Sequence, residues 1–228
     1  MKNNKIQYVS NDNFNSLSIK TIIVSLKKIS TRKKVINIAI SGGSTPIPIL
    51  KKLREANLEW HKFNFFLVDE RVVKVTSNES NYKNINEVFY QYISSKSFLV
   101  LEEGIDLDKM LQKYKKQIQK NVPFDKSNTP KFDLIILGMG NDGHTASLFP
   151  ETNALSENEE FVVSNFVPQL KSYRVTLTYP VLLNADETIV LIKGEEKIKI
   201  FNEIINGKGD KYPISKLINS NLHWIIGS

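Results

Sequence analysis

The sequence predicts an α/β fold: an open, mostly parallel sheet with helices on both faces. Apolar segments of strand length alternate with longer segments of helical period, the pattern of a parallel sheet covered by helices. The strand-like segments are almost continuously apolar, as expected of strands buried on both faces. Because the 228 residues are 41% hydrophobic and no shift in composition marks a boundary, we expect a single domain over residues 1–228.

The predicted elements follow one another along the chain. Strands are predicted at VINIAI (35–40), FNFFLV (63–68), SFLVL (97–101) and FDLIIL (132–137). The segments predicted to be helical between and after them are TPIPILKKLREA (45–56), NYKNINEVFYQYI (81–93) and DLDKMLQKYKKQIQK (106–120). Two further strands, RVTLTYPVLL (174–183) and ETIVLIKG (187–194), precede a helix at EEKIKIFNEIING (195–207) and a last short strand at HWIIG (223–227).

Composition narrows the class of protein. The chain contains no cysteine, which excludes disulfides, cysteine-based zinc sites and thiol nucleophiles and suits a reducing compartment. No apolar run approaches membrane-spanning length, and the first residues lack a signal-peptide pattern. We therefore expect a soluble, cytoplasmic protein without a membrane partner.

The formal net charge of +7 raises the possibility of a nucleic-acid partner. The lysines, however, fall mainly in LKKISTRKK and KMLQKYKKQIQK, at the spacing of solvent-facing helix positions, and no aromatic-rich nucleic-acid module accompanies them. We therefore expect a solvated surface and no nucleic-acid partner. The positive charge would also attract a small anionic substrate.

The turns that leave the strands are the places to look for function, because open α/β sheets bind ligands there. The first is SGGSTP (41–46). Gly42 and Gly43 allow the backbone to approach a ligand, Ser44 or Thr45 can cap the next helix, and Pro46 fits its first turn. Free N–H groups at such a corner make a seat for phosphate. A tight turn with a capped helix and no ligand remains the alternative.

A second corner places Asp69, Glu70 and Arg71 together at the end of an apolar strand. Core packing does not explain three charges there. They can pair with one another in solvent, but Arg71 is suited to hold a phosphate or carboxylate through two parallel hydrogen bonds. We favour a functional corner, followed by a loop, SNESNY, and a helix that begins near Asn81.

The third corner is DLIILGMGNDGHTASLFP (133–150), with glycines in the spacing G-x-G-x-x-G. A dinucleotide site would also need an acid at a strand end about 20 residues on, and here that distance falls in the polar ALSENEEF. The distinctive residue is His144, because an imidazole with a reference pKa of about 6.5 can accept a proton in catalysis. Asp142 orients that ring, caps a helix begun by GHTASLF, or does both. His61 and His223 are expected to be structural or surface residues.

Two basic residues, Arg174 and Lys197, become candidate counter-charges for a bound phosphate. Two other kinds of enzyme are not favoured. No G-x-S-x-G elbow supports a serine hydrolase, and no H-E-x-x-H or comparable ligand cluster supports a catalytic metal.

Four blocks in this order, SGGSTP, FLVDERVV with SNESNY, FDLIILGMGNDGHTASLFP and RVTLTYPVLLNADETIVLIKGEEK, resemble the 6-phosphogluconolactonase family over nearly the whole chain. The resemblance implies a Rossmann-like fold of the sugar-phosphate isomerase/deaminase type. It also implies hydrolysis of the δ-lactone of 6-phosphogluconate in the oxidative pentose phosphate pathway, without metal or organic cofactor, and it makes the dinucleotide interpretation a false positive. The expected partner is a phosphosugar lactone, and the expected state is a monomer, with a homodimer as the alternative.

The resemblance also implies roles for residues. His144 matches the family's general base, and N–H groups near Gly42 and Gly43 or around Gly140 would stabilise the oxyanion. Asp69 would orient the substrate or a catalytic group. The residues that would hold phosphate and sugar hydroxyls are Ser44, Thr45, Arg71, Arg174 and Lys197.

Two alternatives share the fold. Glucosamine-6-phosphate deaminases resemble DGHIAFNEP, whose Glu belongs to the ring-opening apparatus, and HTASLFP lacks that Glu. A non-catalytic sugar-phosphate sensor usually carries a helix-turn-helix, for which the residues before the first predicted strand are too few. The chain departs from many lactonases at Asn141 and in VVKVTSN after the DER block, which affects loop shape and not the proposed base.

Overall fold

A computed structural model of the protein describes residues 4–218 and 220–228. The strands in these residues are β1 Lys5–Val9, β2 Ile36–Ile40, β3 Phe63–Leu67, β4 Asp69–Arg71, β5 Lys96–Ser97, β6 Leu134–Gly138, β7 Val162–Val167, β8 Ser172–Leu177, β9 Thr188–Lys193 and β10 Leu222–Gly227. The helices are α1 Phe14–Ser30, α2 Pro46–Leu53, α3 Asn81–Val88, α4 Leu107–Asn121, α5 Tyr179–Asn184 and α6 Glu195–Ile205.

Seven strands form one sheet in the order β1-β10-β9-β6-β2-β3-β5, and every neighbouring pair is parallel. Every residue of β2, β3 and β10 is buried. Because successive side chains of a strand point to opposite faces, helices and loops must cover this sheet on both sides. The predicted α/β fold, an open, mostly parallel sheet covered by helices, is confirmed.

A second, antiparallel sheet of three strands has the order β4-β8-β7. It begins directly after β3, because only Val68 separates β3 from β4. The three charged residues expected to form a corner therefore belong to a short strand paired with β8. This pairing fixes the charged side chains more firmly than a free loop would.

Several predicted elements differ from the structure. SFLVL contributes only Ser97 to a strand, because Val100 and Leu101 are buried without joining a ladder. The segment 174–183 is strand only to Leu177 and then forms α5, where Pro180 fits the first helical turn. GHTASLF forms no helix, because Ala146 has a left-handed φ of 52°. The strands β1 and β7 were not predicted, and α1 was indicated only at its end, by the helical spacing of the lysines in LKKISTRKK.

In the part of the chain that is described, no helix combines the length and the apolar character needed to cross a bilayer.

Candidate active site

The order of the main sheet determines where a site can form. The chain runs from β2 to β3 on one side, whereas β6 lies on the other side of β2. Ligands of open α/β sheets bind outside the carboxyl ends of the strands at such a reversal point. A cavity of about 210 Å³ lies there. Its walls come from β4, from the last residue of β6 and from the segments that follow β2, β4, β6 and β9.

The connection after β2 is the glycine corner, Ser41 to Thr45. Within residues 4–218 and 220–228, the N–H groups of Gly42, Gly43 and Ser44 donate to no protein acceptor. Thr45 occupies the predicted N-cap position of α2 and Pro46 its first turn, but the Thr45 side chain makes no capping hydrogen bond. The corner therefore presents several free amide donors to the cavity.

Asn81, the first residue of α3, lies against this corner. A Cβ built on Gly42 would be 1.9 Å from Asn81 Oδ1, so only glycine fits there. Asn81 Nδ2 donates to the backbone oxygen of Asp69 at 2.9 Å, whereas Oδ1 is buried without a hydrogen-bond partner. Asn81 thus joins the glycine corner to β4.

The three charged side chains of β4 contact different partners, and in the described residues no ion pair links them to one another. Asp69 lines the cavity, and its Oδ2 accepts a hydrogen bond from the hydroxyl of Ser147 at 2.6 Å. Arg71 also lines the cavity, and its Nη1 donates to the backbone oxygen of Glu79 at 2.8 Å. The alternative to a functional corner, a cluster of three charges paired with one another in solvent, is absent from these residues.

Glu70 points away from the cavity and is fully buried. Its carboxylate accepts three hydrogen bonds of 2.8 Å, donated by the backbone N–H groups of Arg71, Asn81 and Tyr82. Burial raises the pKa of this carboxyl above its usual value, although the three donors oppose the shift. Glu70 therefore fixes the start of α3 relative to β4 and has no contact with the cavity.

The connection after β6 carries His144. Its Nδ1 lies 2.5 Å from Asp142 Oδ1, and its ring stacks on Phe149 with centroids 3.9 Å apart. Burial raises the pKa of the Asp142 carboxyl, but the hydrogen bond to His144 and the electrostatic interaction with that ring lower it by more. The pKa of Asp142 therefore lies below its usual value. An ionised Asp142 accepts a hydrogen bond from the Nδ1–H of the neutral imidazole, which places the free lone pair on Nε2. A Cβ on Gly140 would lie 2.2 Å from the His144 ring, so this glycine makes room for the imidazole.

Lys197 lines the cavity from the first turn of α6. Burial lowers its pKa, and within the described residues its ammonium lies near no carboxylate. The first turn of α6 is linked to the histidine corner, because Asn141 Nδ2 donates to Glu196 Oε2 at 2.5 Å. A half-buried, unpaired lysine is suited to an anionic ligand.

Arg174 lies directly opposite Arg71 across the β4–β8 pair. It is only 7% exposed, and burial, followed by the charge of Arg71, lowers its pKa. Its Nη1 donates to the Ser172 hydroxyl at 2.7 Å. Two neighbouring guanidinium groups with no carboxylate within 4 Å in the described part of the chain favour an anion close by.

The structure brings most predicted site residues to one cavity. Those lining it are Gly42, Gly43, Ser44, Thr45, Asp69, Arg71, His144 and Lys197. Asp142 and Arg174 do not line it but contact or oppose residues that do. Asn81, Ser147 and Phe149 were not singled out from the sequence, although all three lie inside the quoted motifs.

The arrangement combines a proton acceptor, free amide donors and cations around one small space. An imidazole can activate water, amide N–H groups can stabilise a developing oxyanion, and cations can hold an anionic substrate. Gly140 N–H is not free for this task, because it donates to the His144 carbonyl at 2.8 Å. The chemistry that fits best is attack of water on the carbonyl group of an anionic substrate.

Comparisons with known proteins agree with this chemistry. The model of the family of glucosamine-6-phosphate isomerases/6-phosphogluconolactonase matches residues 11–224. The 6-phosphogluconolactonase of Thermotoga maritima is 35% identical over 201 residues, 87% of this chain and 87% of its own length. That of Chlamydia trachomatis is 34% identical over 212 residues, 88% of this chain and 80% of its own. The crystal structure of 6-phosphogluconolactonase from T. maritima has a TM-score of 0.87 at 29% identity, covering 99% of this chain and 100% of that one.

Proposed function

Since the chain belongs to the family of glucosamine-6-phosphate isomerases/6-phosphogluconolactonase, we propose that it hydrolyses 6-phospho-D-glucono-1,5-lactone to 6-phosphogluconate in the oxidative pentose phosphate pathway. The resemblance found in the sequence is thereby confirmed. The observation that carries the mechanism is the placement of His144, with Nδ1 bonded to Asp142, in a cavity that also holds free amide donors and cations.

His144 acts as the general base in this proposal. Nε2 takes a proton from water as the water oxygen bonds to the lactone carbonyl carbon, and Asp142 stabilises the imidazolium that forms. The bond from that carbon to the ring oxygen then breaks, and the imidazolium returns the proton to the leaving oxygen. One water is consumed and one carboxylic acid is formed, with no metal or organic cofactor.

In this proposal the N–H groups of Gly42 and Gly43 donate hydrogen bonds to the oxyanion of the tetrahedral intermediate. These groups have no protein acceptor among the described residues, whereas the N–H of Gly140 has one. Preorganised amide donors of this kind stabilise charge that develops only in the transition state.

The cations hold the phosphate in this proposal. Arg71, Arg174 and Lys197 supply positive charge, and Ser44 and Thr45 supply hydroxyl and amide donors from the glycine corner. Asp69, whose Oδ2 is held by Ser147, uses its remaining oxygen to accept a hydrogen bond from a sugar hydroxyl. We further propose a cytoplasmic monomer that binds neither nucleic acid nor membrane. Light scattering distinguishes a monomer from the alternative homodimer.

The deciding experiment follows hydrolysis of the lactone, made in situ, through 6-phosphogluconate dehydrogenase. Wild type, His144→Ala, His61→Ala and a blank are compared, since the lactone also hydrolyses spontaneously. His144→Ala is expected to lower turnover by about 10²- to 10⁴-fold while 6-phosphogluconate still binds. His61 is exposed and does not line the cavity, so His61→Ala should match wild type.

Other outcomes would reject parts of the proposal. Turnover that survives in His144→Ala rejects this residue as the base. A wild-type rate equal to the blank rejects the lactonase activity. Release of ammonia from glucosamine 6-phosphate would then indicate a deaminase, and tight sugar-phosphate binding without turnover would indicate a sensor.

A further inference from the structure

The ring of Phe149 forms a flat support for the ring of His144. The two centroids are 3.9 Å apart and the planes are inclined by only 25°. Phe149 is 8% exposed. Phe149 stands five residues after His144, the position that the glutamate occupies in the deaminase pattern, so the sequence gives an apolar ring where that pattern has a charge.

The bond to Asp142 does not by itself fix the plane of the imidazole. One hydrogen bond at Nδ1 holds one corner of the ring, about which the ring can still tilt. An aromatic ring stacked on one face blocks that tilt, because any rotation would break the contact or clash. The two contacts together leave one orientation, with Nε2 free.

The backbone that carries Phe149 is itself anchored to the second sheet. Thr152 donates its hydroxyl hydrogen to the Phe149 carbonyl at 2.8 Å. Asn165, buried in β7, donates to the Thr152 hydroxyl at 3.0 Å and to the Ser147 carbonyl at 2.9 Å. The support is therefore held by β7 and not by His144, and it remains in place when the imidazole gains or loses a proton.

We propose that Phe149 is a positioning residue for the general base: its ring holds the imidazole of His144 in the orientation that directs Nε2 at the attacking water. This inference rests on the proposed function of His144. Phe149 touches neither substrate nor water in this role, so its loss should lower kcat and leave KM almost unchanged.

The test begins with the wild-type protein and needs no variant. Protons above the face of an aromatic ring move upfield in proton NMR. The chain has only three histidines, so its imidazole resonances are few, and His144→Gln assigns those of His144. We expect upfield resonances for His144 compared with those of exposed His61. Resonances of His144 at the position of an exposed imidazole would overturn the stack, whatever the activity.

The kinetic arm compares Phe149→Leu, Phe149→Tyr and Phe63→Leu. Misplacement of a catalytic group by a small distance costs up to about 10²-fold. We therefore expect Phe149→Leu to lower kcat by about 10- to 100-fold with KM unchanged, and to lose the upfield shift. Phe149→Tyr keeps a ring and should restore both. Phe63, buried at the amino end of β3, controls for loss of core packing and should leave kcat unchanged.

Three results separate the inference from the proposed function. A wild-type kcat in Phe149→Leu overturns the positioning role, and so does an equal loss of kcat in the Leu and Tyr variants. Full activity of His144→Ala instead rejects the general base, and the NMR comparison still decides whether the stack exists.

Discussion

Gly140 illustrates how a single residue shapes the site by having no side chain. A Cβ there would lie 2.2 Å from two atoms of the His144 ring and 2.7 Å from Asp142 Oδ1. The G-x-G-x-x-G spacing, which superficially resembles a dinucleotide-binding turn, thus serves to let an imidazole lie over the backbone. The glycine spacing alone is common and does not identify a function, whereas the histidine that lies over Gly140 does.

Gly140→Ala is expected to displace the imidazole and lower kcat by about 10²-fold, with the fold retained. Gly138→Ala is the comparison variant: Gly138 also lines the cavity, but its Cβ would meet no protein atom within 4 Å, so this variant adds a methyl group at the cavity without displacing the imidazole. Steady-state kinetics and far-UV circular dichroism of both variants check the prediction. Equal kcat in the two variants would contradict it.

Lys197 gives a prediction about pH. Burial lowers its pKa below the usual 10.5, and only its protonated form attracts a phosphate. Affinity for 6-phosphogluconate should therefore be highest below the lowered pKa of Lys197, where the ammonium is fully protonated, and should decline as the pH rises through that pKa. Lys197→Arg stays protonated over this range, so its affinity should decline less. Calorimetric titrations of the stable product from about pH 7 upward measure the difference, and parallel curves would refute it.

At the scale of elements, Glu70 connects β4 to the start of α3. Glu70→Ala would leave three backbone N–H groups and the Ser80 hydroxyl without their acceptor. We expect a loss of about 3 kcal/mol or more in the free energy of unfolding. Ser80→Ala, which removes the side-chain cap of α3 and the hydrogen bond from Ser80 to Glu70 but leaves the three N–H groups with their acceptor, should cost about 1 kcal/mol. Urea denaturation checks both values, and equal losses would refute the larger role of Glu70.

The sequence predicts elements well where one physical signal dominates. Continuous apolar runs identified β2, β3, β6 and β9 to within about two residues. The amphiphilic edge strand β1 and the mixed pattern of β7 lack that signal. SFLVL has that signal, but after Ser97 it remains outside the ladder, because burial by loops and helices accommodates an apolar run as well as a strand does.

The candidate site likewise contains residues that the sequence predicts and residues that it does not. The glycine corners, Asp69, Arg71 and His144 follow strands and therefore meet at one edge of the sheet, which sequence order indicates. Ser147 and Phe149 are placed by the left-handed Ala146, which turns the chain back toward His144 and β4. Because a non-glycine residue rarely adopts this conformation, local propensity predicted a helix there instead.

At the scale of the whole molecule, the net charge of +7 should accelerate encounter with a phosphorylated substrate. Added salt screens such attraction. We expect kcat/KM for 6-phosphogluconolactone to decrease between about 0.01 M and 0.15 M ionic strength. The unphosphorylated δ-gluconolactone, which is uncharged, should show no such decrease. A salt response that is the same for both lactones would contradict electrostatic steering.

The position of β10 has a consequence for synthesis of the protein. Made late in the chain, β10 lies between β9 and β1 and is the only described strand with which β1 pairs. While the polypeptide emerges from the ribosome, β1 must wait for its partner until Leu222–Gly227 has been translated. A premature stop before Leu222 would leave the edges of β1 and β9 open to aggregation.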